Sequence, residues 1–144
     1  MQHWQNAAFL MWKSLRHIMQ TEAAFRDTSH LPGVDFSTGS LGHGLSAAAG
    51  MAYALKKDGK KGRVFAVLGD GECDEGSVWE AVLFANHFRL NNLVVIVDHN
   101  HMQSLDFQEN TIEIEDFGSK WKAFGWNVIE INGNDHEELK NAFV

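Results

Sequence analysis

Val64-Phe65-Ala66-Val67-Leu68-Gly69-Asp70-Gly71-Glu72 decides the fold of this chain. Its apolar run ends abruptly in a glycine turn, as a strand does on entering a helix. The next apolar run, Leu93-Val94-Val95-Ile96-Val97-Asp98-His99-Asn100, is continuous in Leu, Val and Ile, the pattern of a parallel strand covered on both faces. The strand, helix and strand of a βαβ crossover occupy about 30 residues, which is the spacing from Asp70 to Asn100. Parallel strands joined this way end at one edge of the sheet, so Asp70 and Asn100 are expected to emerge there side by side. Ligands of such sheets bind at that carboxyl edge. Two oxygen-bearing side chains beside a glycine turn suit a magnesium ion that holds a phosphorylated cofactor.

Helices are expected to alternate with parallel strands outward from this unit. Downstream, the spacing predicts a helix over 75–88, a polar loop over 101–116, a short helix near 116–124 and a third strand over Asn127–Ile131. Gly133-Asn134-Asp135 opens a final helix, with Asp135 as N-cap and Glu138 as its capping-box partner. Upstream, Leu45 to Lys57 reads as a helix with a small-residue face, its terminal Lys56-Lys57 complementing the helix dipole. A turn-rich loop with the only proline, Pro32, precedes it. Phe9, Trp12, Leu15, Ile18 and Met19 fall at helical spacing, which predicts an amphipathic helix over 6–19. No repeat or low-complexity linker interrupts the pattern. The expected fold is α/β, a three-layer parallel sheet with helices on both faces.

The chain has 144 residues, 44% of them hydrophobic, and a net charge of −7. That size fits one domain, and the acidic balance argues against nucleic acid as a partner. Cys73 is the only cysteine, so no internal disulfide forms and a reducing cytosol is expected. No apolar run approaches the length of a membrane span. Lys13, Arg16 and His17 break up the N-terminal apolar stretch, unlike a signal peptide. These features make a cytoplasmic, soluble protein the expectation.

By itself Gly69-Asp70-Gly71 is also an ordinary strand-to-helix turn, with glycines for positive φ and aspartate satisfying backbone amides. Asn100 at the end of the adjoining strand shifts the preference toward a metal site. Magnesium takes about six oxygen ligands and usually keeps water and phosphate among them. Asp70, Asn100 and a backbone carbonyl of the following loop would provide part of that shell, with diphosphate oxygens and water completing it. The amides of Gly69 to Glu72, at a helix N-terminus, would favour the phosphates.

The run Gly69-Asp70-Gly71-Glu72-Cys73-Asp74-Glu75-Gly76-Ser77-Val78-Trp79-Glu80-Ala81, together with Asn91-Asn92-Leu93 and Asp98-His99-Asn100, resembles the thiamine diphosphate motif of transketolases. Leu31-Pro32-Gly33-Val34-Asp35-Phe36-Ser37-Thr38-Gly39-Ser40-Leu41-Gly42-His43-Gly44-Leu45 and Lys120-Trp121-Lys122-Ala123-Phe124-Gly125-Trp126 extend the likeness. It is most similar to the N-terminal subunits of split transketolases, almost continuously from Leu31 to about Leu139. The resemblance implies a thiamine diphosphate-binding fold and a set of roles. Asp70 and Asn100 would bind magnesium by side chain, and Met102 by its carbonyl. Gly69, Gly71 and Glu72 would lie along the diphosphate, and Gly39 and Leu41 would touch the aminopyrimidine. His43 falls at the family's pyrimidine contact. Glu75 and Glu80 match family glutamates that link paired sites across a subunit interface, although acids in the first turns of a helix are favourable anyway.

The resemblance further implies transfer of a two-carbon ketol unit between sugar phosphates. In this family a glutamate from a separate pyrimidine-binding domain, on a partner chain or subunit, activates the cofactor. A C-terminal transketolase-type subunit is therefore an expected partner, and a homo- or hetero-oligomer the expected assembly. Helix 45–57 and the helix from Glu75 are the expected contact surfaces. Residues 1–30 do not carry the likeness: Arg26 stands where the family has a histidine, and His30 is out of register. The expected division is an N-terminal helical segment, 1–30, and a partial diphosphate-side domain, 31–144, inactive alone. Three other readings stay open. They are another thiamine enzyme (a deoxyxylulose phosphate synthase or a pyruvate dehydrogenase component), a truncated non-catalytic assembly module, and a flavodoxin-like nucleotide module.

Four bland readings accompany these. His99 and His101 flank Asn100 and are expected to point to opposite sides of an extended segment, which argues against zinc. His87 reads as a helix-surface or core residue, and Trp79, Trp121 and Trp126 as core or interface. Cys73, near a helix N-terminus, is either a reactive thiol or a spectator, and the spectator reading is preferred.

Overall fold

A computed structural model describes the main chain of residues 7–12, then residues 35–36, 38–103, 106–114 and 116–143. Strands β1 (Ala7–Trp12), β2 (Val64–Gly69), β3 (Leu93–His99) and β4 (Asn127–Asn132) form one sheet in the order β2-β3-β1-β4. All three pairings are parallel. Helices α1 (His43–Lys57), α2 (Gly76–His87), α3 (Phe117–Ala123) and α4 (His136–Ala142) connect and cover it. None of the described helices is long and apolar enough to cross a membrane.

Alternation along β3 builds both faces of the sheet. Leu93, Val95 and Val97 point into the main core, against Leu45, Ala48, Ala49 and Ala52 of α1 and Val78, Val82 and Ala85 of α2. Val94 and Ile96 point the other way and meet Ile129 and Ala142 of α4. The α1 alanines are thus used inside the domain, where small side chains let the helix approach the sheet. Gly50, with open space around its Cα, and exposed Met51 are on its outer side. Trp79, Phe117, Trp121, Phe124 and Trp126 join the main core as an aromatic cluster, and the Trp126 indole donates to the Val82 carbonyl at 3.2 Å. Helix α3 stops in a Schellman turn, with Gly125 at φ 83°, Gly125 N–H on Lys122 O and Trp126 N–H on Trp121 O.

Two local expectations are corrected. Residues 7–12 are a strand, not the start of a helix over 6–19 (residues 13–19 lie outside the described ones). Ala-Ala-Phe-Leu-Met-Trp is apolar at every position, and a short continuous run fits a buried strand as well as a helix. Its pairing on both sides, with β3 and β4, settles the matter. Helix α2 runs from Gly76 to His87 with Glu75 as its N-cap, as expected to within a residue, and a 3-10 turn over residues 71–74 precedes it. At the final helix, Asp135 does cap, accepting from Glu137 and Glu138 N–H. The Glu138 carboxylate, however, accepts from Asn132 N–H at 2.7 Å rather than closing the box on Asp135.

Candidate cofactor site at the carboxyl edge

The register places the site. Gly69, the last residue of β2, pairs with Asp98 of β3, so Asp70 and Asn100 leave adjoining strands at the same edge. Asp70 N–H continues the ladder onto the Asp98 carbonyl at 3.2 Å. The Asp70 side chain is buried, 1% exposed, with one carboxylate oxygen on Gly71 N–H (2.8 Å) and the other on His101 N–H (2.8 Å). That second bond ties the loop after β3 to the turn after β2. Asn100 turns its Oδ1 to Met102 N–H (2.8 Å) and its Nδ2 to Asp98 Oδ2 (3.1 Å). The two expected side-chain ligands and the Met102 main chain are therefore gathered by one short hydrogen-bonded network.

Gly71 is needed for space. It is not among the described glycines at positive φ, contrary to the expectation for this turn; a Cβ on it would lie 2.9 Å from Gln103 Cγ. Gln103 in turn donates to Asp74 Oδ2 at 2.7 Å. The Asp70 N–H donates to the Asp98 carbonyl and the Gly71 N–H to Asp70 Oδ1.

Glu72 reaches away from the edge. Its Oε1 accepts from Gly42 N–H at 2.9 Å, clasping the loop that carries Gly39 and Leu41 to the turn that carries Asp70. Gly42 has φ 80°, and a Cβ there would lie 2.2 Å from Ser77 Oγ. Burial raises the Glu72 pKa, opposed by the hydrogen bonds from Gly42 and Gly69. Leu41 is exposed, as is His43, whose Nδ1 lies 3.1 Å from the Leu41 carbonyl. Glu75 and Glu80 are exposed at the start of α2 and on it, apart from the Asp70–Asn100 network.

Acidity dominates the edge. Burial raises the pKa of Asp98, helped by the charge of Asp70 and opposed by the Asn100 hydrogen bond. Asp74 is raised likewise, by burial first and despite its bond from Gln103. Cys73 is fully buried, and burial plus the carboxylates of Glu72, Asp70 and Asp74 push its thiol well up. Such a thiol is unreactive, in keeping with a spectator.

His99 and His101 do not point apart: their ring centroids are 4.2 Å from each other. Residues two apart along a strand share a face, and His101 at φ 60° curls back rather than continuing the strand. His99 also stacks on Phe117 at 5.0 Å. Among the described residues no group of three or more His, Cys, Asp and Glu could hold a metal. A set of one carboxylate, one amide oxygen and a main-chain carbonyl would not form such a group. Asp98 is the member of this network to which the sequence reading gave no role; its signal was a carboxylate directly after the apolar run Leu93–Val97. Beside the network, His101, Phe107, Gln108, Glu109 and Glu113 line a pocket of about 220 Å³, which contains none of the expected ligands.

Residues 9–144 match the family model described as transketolase, thiamine diphosphate binding domain. The chain is 41% identical over 116 residues to an apulose-4-phosphate transketolase subunit of Phocaeicola vulgatus, covering 81% of this chain and 41% of that one. It is 40% identical over 144 residues to human transketolase, covering 97% of this chain and 23% of that enzyme. Among solved structures, Campylobacter jejuni transketolase superposes with a TM-score of 0.73 at 31% identity, over 77% of this chain and 18% of that one. The chain thus spans less than half the length of these relatives. With a match that runs over nearly its whole length, the chain belongs to the transketolase family, in the region of its thiamine diphosphate-binding domain.

Proposed function

We propose that this chain supplies the magnesium and diphosphate side of a transketolase site, completed by a second, pyrimidine-binding subunit or domain. The carrying observation is the network that joins Asp70 and Asn100 through His101 N–H and Asp98. The donor set is hard oxygen only, which suits magnesium. The electrostatics point the same way. Asp70, Asp74 and Asp98 crowd one edge, and a diphosphate brought there alone would meet like charge; a divalent cation bound by Asp70 removes that conflict. In this reading Asp70, Asn100 and the Met102 carbonyl hold the ion. Gly69, Gly71 and the main chain of Glu72 run along the diphosphate, since the Glu72 carboxylate is committed to Gly42. Gly39, Leu41 and His43 face the pyrimidine end, on the loop that Glu72 clasps.

When bound, thiamine diphosphate supplies the carbanion chemistry for moving a two-carbon ketol unit between sugar phosphates. This chain binds and orients the cofactor, and its exposed Glu75 and Glu80 meet a partner that links paired sites. The diphosphate-side domain takes in strand β1 as well as residues 31–144, since β1 pairs with β3 and β4 in its sheet; the assembly is a homo- or hetero-oligomer in the cytoplasm, and these residues by themselves are inactive. The test is a thermal melt with thiamine diphosphate, with and without magnesium, on wild type and Asp70→Ala, repeated with a transketolase C-terminal subunit. Ligand at 100 times its dissociation constant stabilises by about 2.7 kcal/mol. A magnesium-dependent rise in Tm that Asp70→Ala loses is expected. No rise even with the second subunit present would refute the proposal and favour a non-catalytic assembly module.

A further inference from the structure

We infer that Asp98 is a positioning residue, one that fixes which edge of the Asn100 amide is offered to the magnesium ion. The inference rests on the site just proposed. A side-chain amide has an oxygen that can ligate a hard cation and a nitrogen that cannot. Rotation by half a turn exchanges them. Asn100 stands at the end of β3, half-exposed, where nothing in its own sequence chooses between the two orientations.

Its neighbours choose. Asp98 is 2% exposed and presents Oδ2, an acceptor, 3.1 Å from Asn100 Nδ2. Met102 N–H, a donor, lies 2.8 Å from Asn100 Oδ1. Rotated the other way, the amide would set its oxygen against a carboxylate and its NH2 against an N–H, losing both bonds. Asp98 also holds the other ligand, since its carbonyl accepts from Asp70 N–H at 3.2 Å. One residue of β3 therefore registers Asp70 by main chain and Asn100 by side chain. Its remaining oxygen, Oδ1, is buried with no hydrogen-bond partner. A buried carboxylate retained at that cost next to the end of β3 has a use other than stability, and orienting Asn100 is the use its contacts show.

Asp98→Leu keeps the bulk and removes the acceptor, while Asp98→Asn keeps an oxygen that can face Asn100 Nδ2. The measurement is Mn²⁺ affinity in the presence of thiamine diphosphate, read from the resonance of free Mn²⁺, with the C-terminal subunit present. Loss of an outer-shell partner typically weakens metal binding about 10–100-fold, and Asp98→Leu is expected in that range, with Asp98→Asn within a few-fold of wild type. The metal-free melting temperature of Asp98→Leu is expected to equal or exceed that of wild type, which a merely structural aspartate would not allow. A second readout needs only metal-free wild type. The side-chain NH2 of Asn100, assigned by its loss in Asn100→Asp, should show one proton shifted downfield and slow rotation. Wild-type Mn²⁺ affinity in Asp98→Leu, or a freely rotating Asn100 amide in wild type, overturns the inference. Absence of saturable Mn²⁺ binding by wild type instead refutes the underlying site, and the inference falls with it.

Discussion

Gly42→Ala tests the turn whose N–H joins the two halves of the proposed site. Gly42 precedes α1 at φ 80°, ψ −10°, a left-handed conformation that costs an L-residue about 1–2 kcal/mol. The added Cβ would lie 2.2 Å from Ser77 Oγ and 3.0 Å from Glu75 Cβ. The hydroxyl can rotate away, but the Glu75 Cβ is fixed to the backbone, and overpacking of this kind costs about 1–3 kcal/mol. Together the destabilisation is about 2–5 kcal/mol. At about 2–4 °C per kcal/mol for a domain slightly larger than this one, Tm should fall by roughly 5–20 °C. Thermal and urea melts followed by circular dichroism read the effect. Ser77→Ala removes the closest atom, so the double variant should recover part of the packing cost and none of the backbone cost. A Gly42→Ala protein melting with wild type, or one fully rescued by Ser77→Ala, would refute the geometry assigned to this turn.

Gly71→Ala should cost less, about 1–3 kcal/mol, because Gln103 can swing away but then leaves Asp74 without its bond. Gly71→Ala/Gln103→Ala should be no less stable than Gln103→Ala alone, and additive losses in melts would contradict this coupling. Because the Glu72 pKa is raised in the fold, its carboxyl favours folding below its ordinary value of 4.5, and that contribution fades as pH rises through the higher folded value. In metal-free buffer, wild-type Tm minus that of Glu72→Gln should therefore decline as pH rises from about 4 upward; a difference that grows with pH would reverse the sign argued here. Asp135→Ala should cost about 1 kcal/mol through loss of the α4 cap, seen as a lower Tm with the magnesium response unchanged.

Much of the fold was legible because it rests on local pattern. β3 is apolar over Leu93–Val97, rich in β-branched residues and bounded by Asn91-Asn92 and Asp98-His99-Asn100, which fits a short buried strand better than a helix, and the Gly-Asp-Gly turn marks the end of β2. Asp135 was readable as a cap because capping involves atoms only two or three residues away. Asp70 and Asn100 were readable as neighbours because crossover length fixes which edge both strands reach. The first strand was not legible: six apolar residues satisfy either period, and only hydrogen bonding to β3 and β4 makes Ala7–Trp12 extended.

Sequence by itself determined which residue types arrive at the carboxyl edge, since strand and turn periods act over a few bonds. Tertiary structure decided what those residues touch. Glu72 turns to the Gly42 amide and Asp98 to the Asn100 amide, while Gly71 is needed for the space that Gln103 fills rather than for its φ. His99 and His101 meet instead of diverging. The Glu72–Gly42 and Gly71–Gln103 contacts depend on chain segments brought together by packing. The Asp98–Asn100 and His99–His101 contacts, though local in sequence, depend on how the chain turns after β3, with His101 at φ 60°. Hydrogen-bond and contact energies fall away within a few ångströms, so residue pattern alone does not fix them.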